Sequence, residues 1–211
     1  MKVELISALG TDLTVANAAR VSFNAESDTL TDKDEKLIKY LAIHQHFTPF
    51  THCVLTLRET VPLFVARQRF KHTVGFSYNE VSRRYVDAAP DFYFPDVWRK
   101  RSENKKQGSK EEEVEYSKDV KLDYAEAISA AVDTYNQLLK AGVCPEQARI
   151  VLPQSMYTSY YVTGSLAAYA RAYKLRSAPD AQKEIREVAQ YWDDICLAMF
   201  PVSWLALTKG S

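Results

Sequence analysis

Glycine is scarce and scattered, with six in 211 residues. Neither a Rossmann turn nor a phosphate-cradling P-loop can be built, since both need glycines clustered where the backbone approaches a phosphate. The three cysteines, Cys53, Cys144 and Cys196, are far apart and odd in number. That leaves no disulfide framework and no zinc-ligand spacing, and a reducing cytoplasm is the setting to expect. The four histidines, His44, His46, His52 and His72, form no metal motif. His44 and His46, two apart, point to different faces of a helix, with no carboxylate pair beside them. Charge of one sign is missing as well: 27 basic residues balance 27 acidic ones, which argues against electrostatic capture of DNA or RNA. No apolar run approaches the roughly 20 residues of a membrane span. The N-terminal MKVELISALG reads as too short and too charged for a secretory signal.

The length suits a single domain over residues 1–211, with a substantial core. Charge, balanced overall, is concentrated at residues 64–85, where Arg67, Arg69, Lys71, Arg83 and Arg84 face only Glu80. Phe64, Val65, Phe70, Val74, Phe76, Tyr78, Val81 and Tyr85 are interleaved with these charges. A solvated helix face is the common meaning of a charge run, but this interleaving keeps the backbone near a core, where a charge needs a partner. Arginine forks with nearby hydroxyls and amides suit a small anion carrying phosphate or carboxylate.

Taken in order, residues 2–9 read as a strand with Val3, Leu5 and Ala8-Leu9 inward. Thr11 or Thr14 caps a helix to about Arg20, and Thr31 or Asp32, with Asp34 or Glu35, opens a second helix that stops before Thr48-Pro49. Residues 53–61 have strand composition, and Pro62 stands where a helix would start. Gly75 ends that helix, leaving 76–84 as an ordered loop. The hydrophilic 99–113 is either a mobile surface excursion or the capped start of an amphipathic helix over 111–141, closed by Gly142. Pro145 starts a short helix carrying Arg149. Residues 156–162 read as a strand, 166–175 as a helix, and Ser177 and Pro179 open the last helix, which runs to Met199. The fold class is α+β, a single domain of mainly antiparallel sheet packed with long helices.

Arg67, Arg84, Arg149 and Arg176 come from separated segments. Arg149 lies in the apolar run 148–153, so its charge is expected to reach out of a largely buried helix. Leu175-Arg176 is read as standing beside a helix start, a place that favours anions.

At this point the residues resemble the flavin-dependent thymidylate synthases over nearly the whole chain. The landmarks are Ala19-Arg20-Val21-Ser22-Phe23, Thr48-Pro49-Phe50 with His52, Phe64-Val65-Ala66-Arg67-Gln68, Asn79-Glu80-Val81-Ser82 with Arg84-Tyr85, Ala148-Arg149-Ile150-Val151-Leu152-Pro153, and Leu175-Arg176 followed by Ala181-Gln182. The family fingerprint is Arg-His-Arg, seven residues, then Ser. Here Lys71-His72-Thr73 is followed by eight residues before Ser82, with the insertion near Gly75; Ser77 is the alternative motif serine. Asp180 stands where many members have His.

The resemblance implies reductive methylation of dUMP to dTMP, with methylenetetrahydrofolate as carbon donor and FAD reduced by NADPH. It implies a homotetramer whose sites are shared between subunits. Gln68, Glu80, Val81, Ser82, Arg83, Arg84 and Arg149 would hold the nucleotide. Arg176, the catalytic candidate, would lie against the uracil. His46, Thr48, Lys71, His72, Thr73, Glu80, Ser165, Arg171 and Asp180 would line the flavin, Arg171 restoring a cation that Thr73 lacks. No protein nucleophile is required, and Ser82, without a base partner, binds rather than attacks. The competing readings are a non-catalytic flavin- or nucleotide-binding homo-oligomer and a scaffold with arginine ion pairs.

Overall fold

A computed structural model describes residues 1–85, 89–102 and 109–210. It contains strands β1 (Lys2–Leu9), β2 (Val54–Pro62), β3 (Phe76–Glu80), β4 (Arg99–Arg101), β5 (Ser109–Glu113) and β6 (Tyr157–Ser165). The helices are α1 (Asp12–Arg20), α2 (Asp32–Ile43), α3 (Leu63–Arg69), α4 (Ser117–Lys140), α5 (Pro145–Ala148), α6 (Leu166–Arg176), α7 (Lys183–Met199) and α8 (Pro201–Lys209). The main sheet runs β1-β2-β6-β3 with every pairing antiparallel, so the fold is α+β.

Alternation along β2 buries Leu55, Leu57, Glu59 and Val61 on one face, as the period of two requires. The register sets Leu57 opposite Val162 and Glu59 opposite Tyr160. Helices α6, α7 and α8 cover that face with Tyr169, Ile185, Val188, Trp192 and Trp204, all buried. Local signals place the flanking helices. Thr11 with Thr14, and Thr31 with Asp34, form capping boxes. The Asp12 carboxylate accepts the main-chain N–H groups of Val202 and Ser203 at 3.0 and 2.8 Å, tying the start of α8 to α1.

Several sequence expectations are corrected. Leu5 and Leu9 are exposed, because β1 is an edge strand with its register broken between Leu5 and Ser7. Residues 76–80 form β3 instead of a loop, since Phe76 and Tyr78 alternate against β6. The stretch 99–113 neither starts the long helix nor stays wholly irregular. Its described part is a two-stranded ladder in which Lys100 meets Glu112, opposite charges across strands being favourable. Residues 103–108 lie outside the described residues. Helix α4 accordingly begins at Ser117, and α8 follows the last expected helix. Arg149 does not emerge from a buried helix: it and Ile150 are exposed in a short 3-10 turn. Arg176 is the last residue of α6, not a neighbour of a helix start.

At the centre of the core is an ion pair with no solvent exposure on either side chain, Arg69 Nε to Glu59 at 3.2 Å. Glu59 also accepts from the Tyr160 hydroxyl at 2.6 Å and from Trp192 Nε1 at 2.9 Å. The Arg69 guanidinium lies 4.3 Å from the Phe76 ring centre and 4.6 Å from that of Trp192. Burial is the largest influence and opposes its charge, but the Glu59 carboxylate, joined by Tyr169, Tyr78 and Tyr160, more than offsets it and raises the Arg69 pKa. Arg69→Met should therefore cost about 3–5 kcal/mol, because it strands a buried carboxylate. Urea denaturation measures this, and a loss below about 1 kcal/mol would show the pair to be dispensable.

Candidate active site

The buried pair fixes the segment that carries the fingerprint residues. Arg69 Nη1 donates to the Tyr78 hydroxyl at 2.7 Å, and that hydroxyl reaches the His72 carbonyl at 2.7 Å. The turn after α3 is thereby pinned to β3. Gly75 closes it at φ +78°, where a Cβ would come within 2.9 Å of Ala168 Cβ, so only glycine suits this position.

His72 is 8% exposed. Arg176 Nε donates to its Nε2 at 2.9 Å, and Arg176 Nη2 donates to the Gln68 carbonyl at 3.2 Å. His72 Nε2 is therefore the unprotonated nitrogen of a neutral ring. Gln68 Nε2 donates to Gln182 Oε1 at 2.6 Å. Three sequence-predicted residues, Gln68, His72 and Arg176, thus meet although α3 and the end of α6 are distant in sequence.

A second group surrounds a cavity of about 600 Å³ whose lining includes Glu80, Val81, Ser82, Arg83, Arg149 and Thr158. Ser82 lines it and Ser77 does not. Thr158 donates its hydroxyl to Glu80 at 2.6 Å, which fixes that carboxylate. Arg84 reaches Glu146 at 3.3 Å, with both side chains well exposed, so this contact holds weakly. Arg149 has no ion-pair partner among the described residues.

A third group surrounds a smaller cavity of about 290 Å³, lined by Phe47, Gly75, Ser165, Ala168, Arg171 and Lys174 among others. Arg171 donates to the Val74 carbonyl at its edge. Lys71, Thr73 and Asp180 are exposed and line neither cavity. His46 stacks on Tyr40, and the 3-10 turn Thr48–Thr51 presents Phe47 and Thr51 to the cavity in place of Thr48. Sequence reading missed the Glu59–Arg69 pair and the partners of Gln182. The β2 alternation, which puts a carboxylate among Leu55, Leu57 and Val61, was the available signal for the pair.

Burial, then the charges of Arg176, Arg69 and Arg171, lower the His72 pKa from 6.5 to about 4. The unfolded chain takes up this proton near pH 6.5, while the folded one resists until about 4. The His72 contribution to stability is complete above pH 6.5 and falls away as pH drops toward 4. His72→Gln keeps an acceptor for Arg176 and should flatten the pH dependence of urea midpoints in that window. An unchanged slope would assign it to another group.

A family model described as "Thymidylate synthase complementing protein" matches residues 4–202. The flavin-dependent thymidylate synthase of Thermosipho africanus is 40% identical over 188 residues, covering 89% of this chain and 82% of that protein. The flavin-dependent thymidylate synthase of Thermus thermophilus is 36% identical over 212 residues, covering 98% and 75%. Among solved structures, the UMP/dUMP methylase PolB of Streptomyces cacaoi bound with 5-Br dUMP is similar at a TM-score of 0.88. The identity is 31%, with 99% of this chain and 94% of that one covered. A match of this extent in both sequence and fold, joined to the clustered Gln68, His72 and Arg176, places the chain in the flavin-dependent thymidylate synthase family.

Proposed function

We propose that the protein converts dUMP to dTMP by reductive methylation, with methylenetetrahydrofolate as carbon donor, FAD as bound flavin and NADPH as reductant. The observation that carries this reading is the 600 Å³ cavity, where Glu80, Ser82 and Arg149 converge, with Arg84 beside Ser82. A phosphate dianion suits those donors, because charge-assisted bonds to guanidinium groups and a hydroxyl offset its desolvation. Glu80, held by Thr158, would orient the sugar or base. Among the described residues Arg176 is bonded through Nε and Nη2, and Nη1 would donate to a uracil oxygen. There it would stabilise the negative charge that develops as C5 becomes nucleophilic.

The lining of the smaller cavity suits part of a flavin chemically: Ala167, Ala168 and Ala170 provide small apolar residues, Phe47 an aromatic edge, and Arg171 and Lys174 positive charge. Arg171 would supply there the cation that Thr73 lacks. When bound, FAD supplies the hydride chemistry; the chain positions the nucleotide, holds charge and excludes water. We also propose a homotetramer sharing its sites between subunits, because the nucleotide and flavin groups line separate cavities in one chain. A cytoplasmic setting is supported by free thiols at Cys53, Cys144 and Cys196.

Tritium release from C5-labelled dUMP, run beside UMP with NADPH and methylenetetrahydrofolate, tests the reading. Release with dTMP formation is expected; nucleotide and flavin binding without release would make the protein a non-catalytic binder. Arg176→Ala should abolish dTMP formation while FAD stays bound. Arg149→Ala should raise KM for dUMP about tenfold or more through the lost charged hydrogen bond. Exposed Cys144 lines neither cavity, so Cys144→Ala should retain turnover; its loss in a folded protein would introduce a nucleophile. Sedimentation as a monomer would contradict the shared sites.

A further inference from the structure

The Gln68 amide has two chemically different ends, and which end faces a ligand decides what it recognises. We propose that Glu184, backed by Arg99, fixes that choice through Gln182 and so selects the edge of uracil over that of cytosine. The proposal deepens the dUMP reading and rests on it.

The hydrogen bonds run in one direction. Arg99 Nη2 donates to both Glu184 oxygens, at 2.8 and 3.0 Å, with both side chains largely buried. A carboxylate paired in this way accepts hydrogen bonds and donates none. Gln182, which contacts it at 2.8 Å, must therefore present its NH2 end. Its oxygen then points the other way, toward Gln68, and receives the Gln68 NH2 at 2.6 Å. The Gln68 oxygen is left as an acceptor without a partner among the described residues. Arg176 Nη2 donates to the main-chain carbonyl of the same residue at 3.2 Å.

The result is an acceptor on the Gln68 side chain and a cationic donor, Arg176, bonded to the Gln68 main chain. Uracil offers N3–H flanked by carbonyl oxygens, which complements that pair. Cytosine offers an unprotonated N3 and an amino group, which would set acceptor against acceptor and donor against donor. Buried mismatches of this kind are what give hydrogen-bonding sites their discrimination. Arg99, Glu184 and Gln182 are positioning residues: none needs to touch the nucleotide. The relay also joins the β4–β5 ladder, through Arg99, to the candidate site.

Calorimetric Kd values for dUMP and dCMP, measured on the full-length, FAD-loaded protein, test this. The wild type should favour dUMP. Glu184→Gln lets residue 184 present either end, so Gln182 and Gln68 can reverse, and the dCMP/dUMP Kd ratio should shrink about tenfold. Adding Gln182→Glu to that variant makes residue 182 acceptor-only, so that it takes the Gln68 NH2 once more, and should restore the ratio. If Glu184→Gln fails to fold, exposed Gln182→Met frees the Gln68 amide and should shrink the ratio by itself. A purely structural role would weaken both nucleotides alike. An unchanged ratio in the folded single variant, or no recovery in the double, overturns the relay. A wild type that binds neither nucleotide overturns the dUMP reading itself.

Discussion

A carboxylate on β2 and a guanidinium at the end of α3 face each other with no exposure to water. Removing two charges from water is costly, and Coulomb attraction alone often fails to repay it. Here Glu59 is further satisfied by Tyr160 and Trp192, and Arg69 is flanked by the rings of Phe76 and Trp192. Those contacts come from β6, α7 and β3, so they are in place only when the sheet and its covering helices are assembled. Tyr78 then passes the constraint to the His72 carbonyl, and His72 passes it to Arg176. A core interaction thus determines where the uracil-facing arginine of the proposed site stands.

The same logic accounts for the neutrality of His72. Three arginines and burial act on one imidazole, and its unprotonated nitrogen anchors the Arg176 guanidinium. A protonated ring would repel Arg176 and leave it without that acceptor. Positive charge therefore accumulates around His72 without residing on it, which keeps the surrounding donors available for an anionic ligand.

Much of the framework was legible in the sequence. Of the alternatives Thr11 or Thr14 and Thr31 or Asp32, Thr11 and Thr31 cap their helices, Pro62 marks a helix start by its fixed φ, and the β-former composition of 53–61 marks a strand. What could not be read depends on distant partners. Phe76–Glu80 is too short to declare itself and becomes β3 only by pairing with β6. The Lys100 and Glu112 charges look like a solvated excursion until they face one another. Arg149 was misjudged because apolar neighbours in sequence need not be buried, and Ile150 is 77% exposed. The resemblance picked out Gln68, His72 and Arg176, which the fold brings together. It gave no hint of Glu184, whose partner Arg99 lies 85 residues away.

Hydrogen–deuterium exchange on Glu59→Gln tests most directly whether the buried pair positions the site. The carboxamide keeps the shape of the side chain but leaves Arg69 unneutralised. Exchange should rise most over residues 70–80, the turn and strand that Arg69 and Tyr78 hold, beyond the smaller rise that lower global stability brings to the β1–β2 and α8 amides. A uniform rise across the chain, or none in that segment, would contradict it.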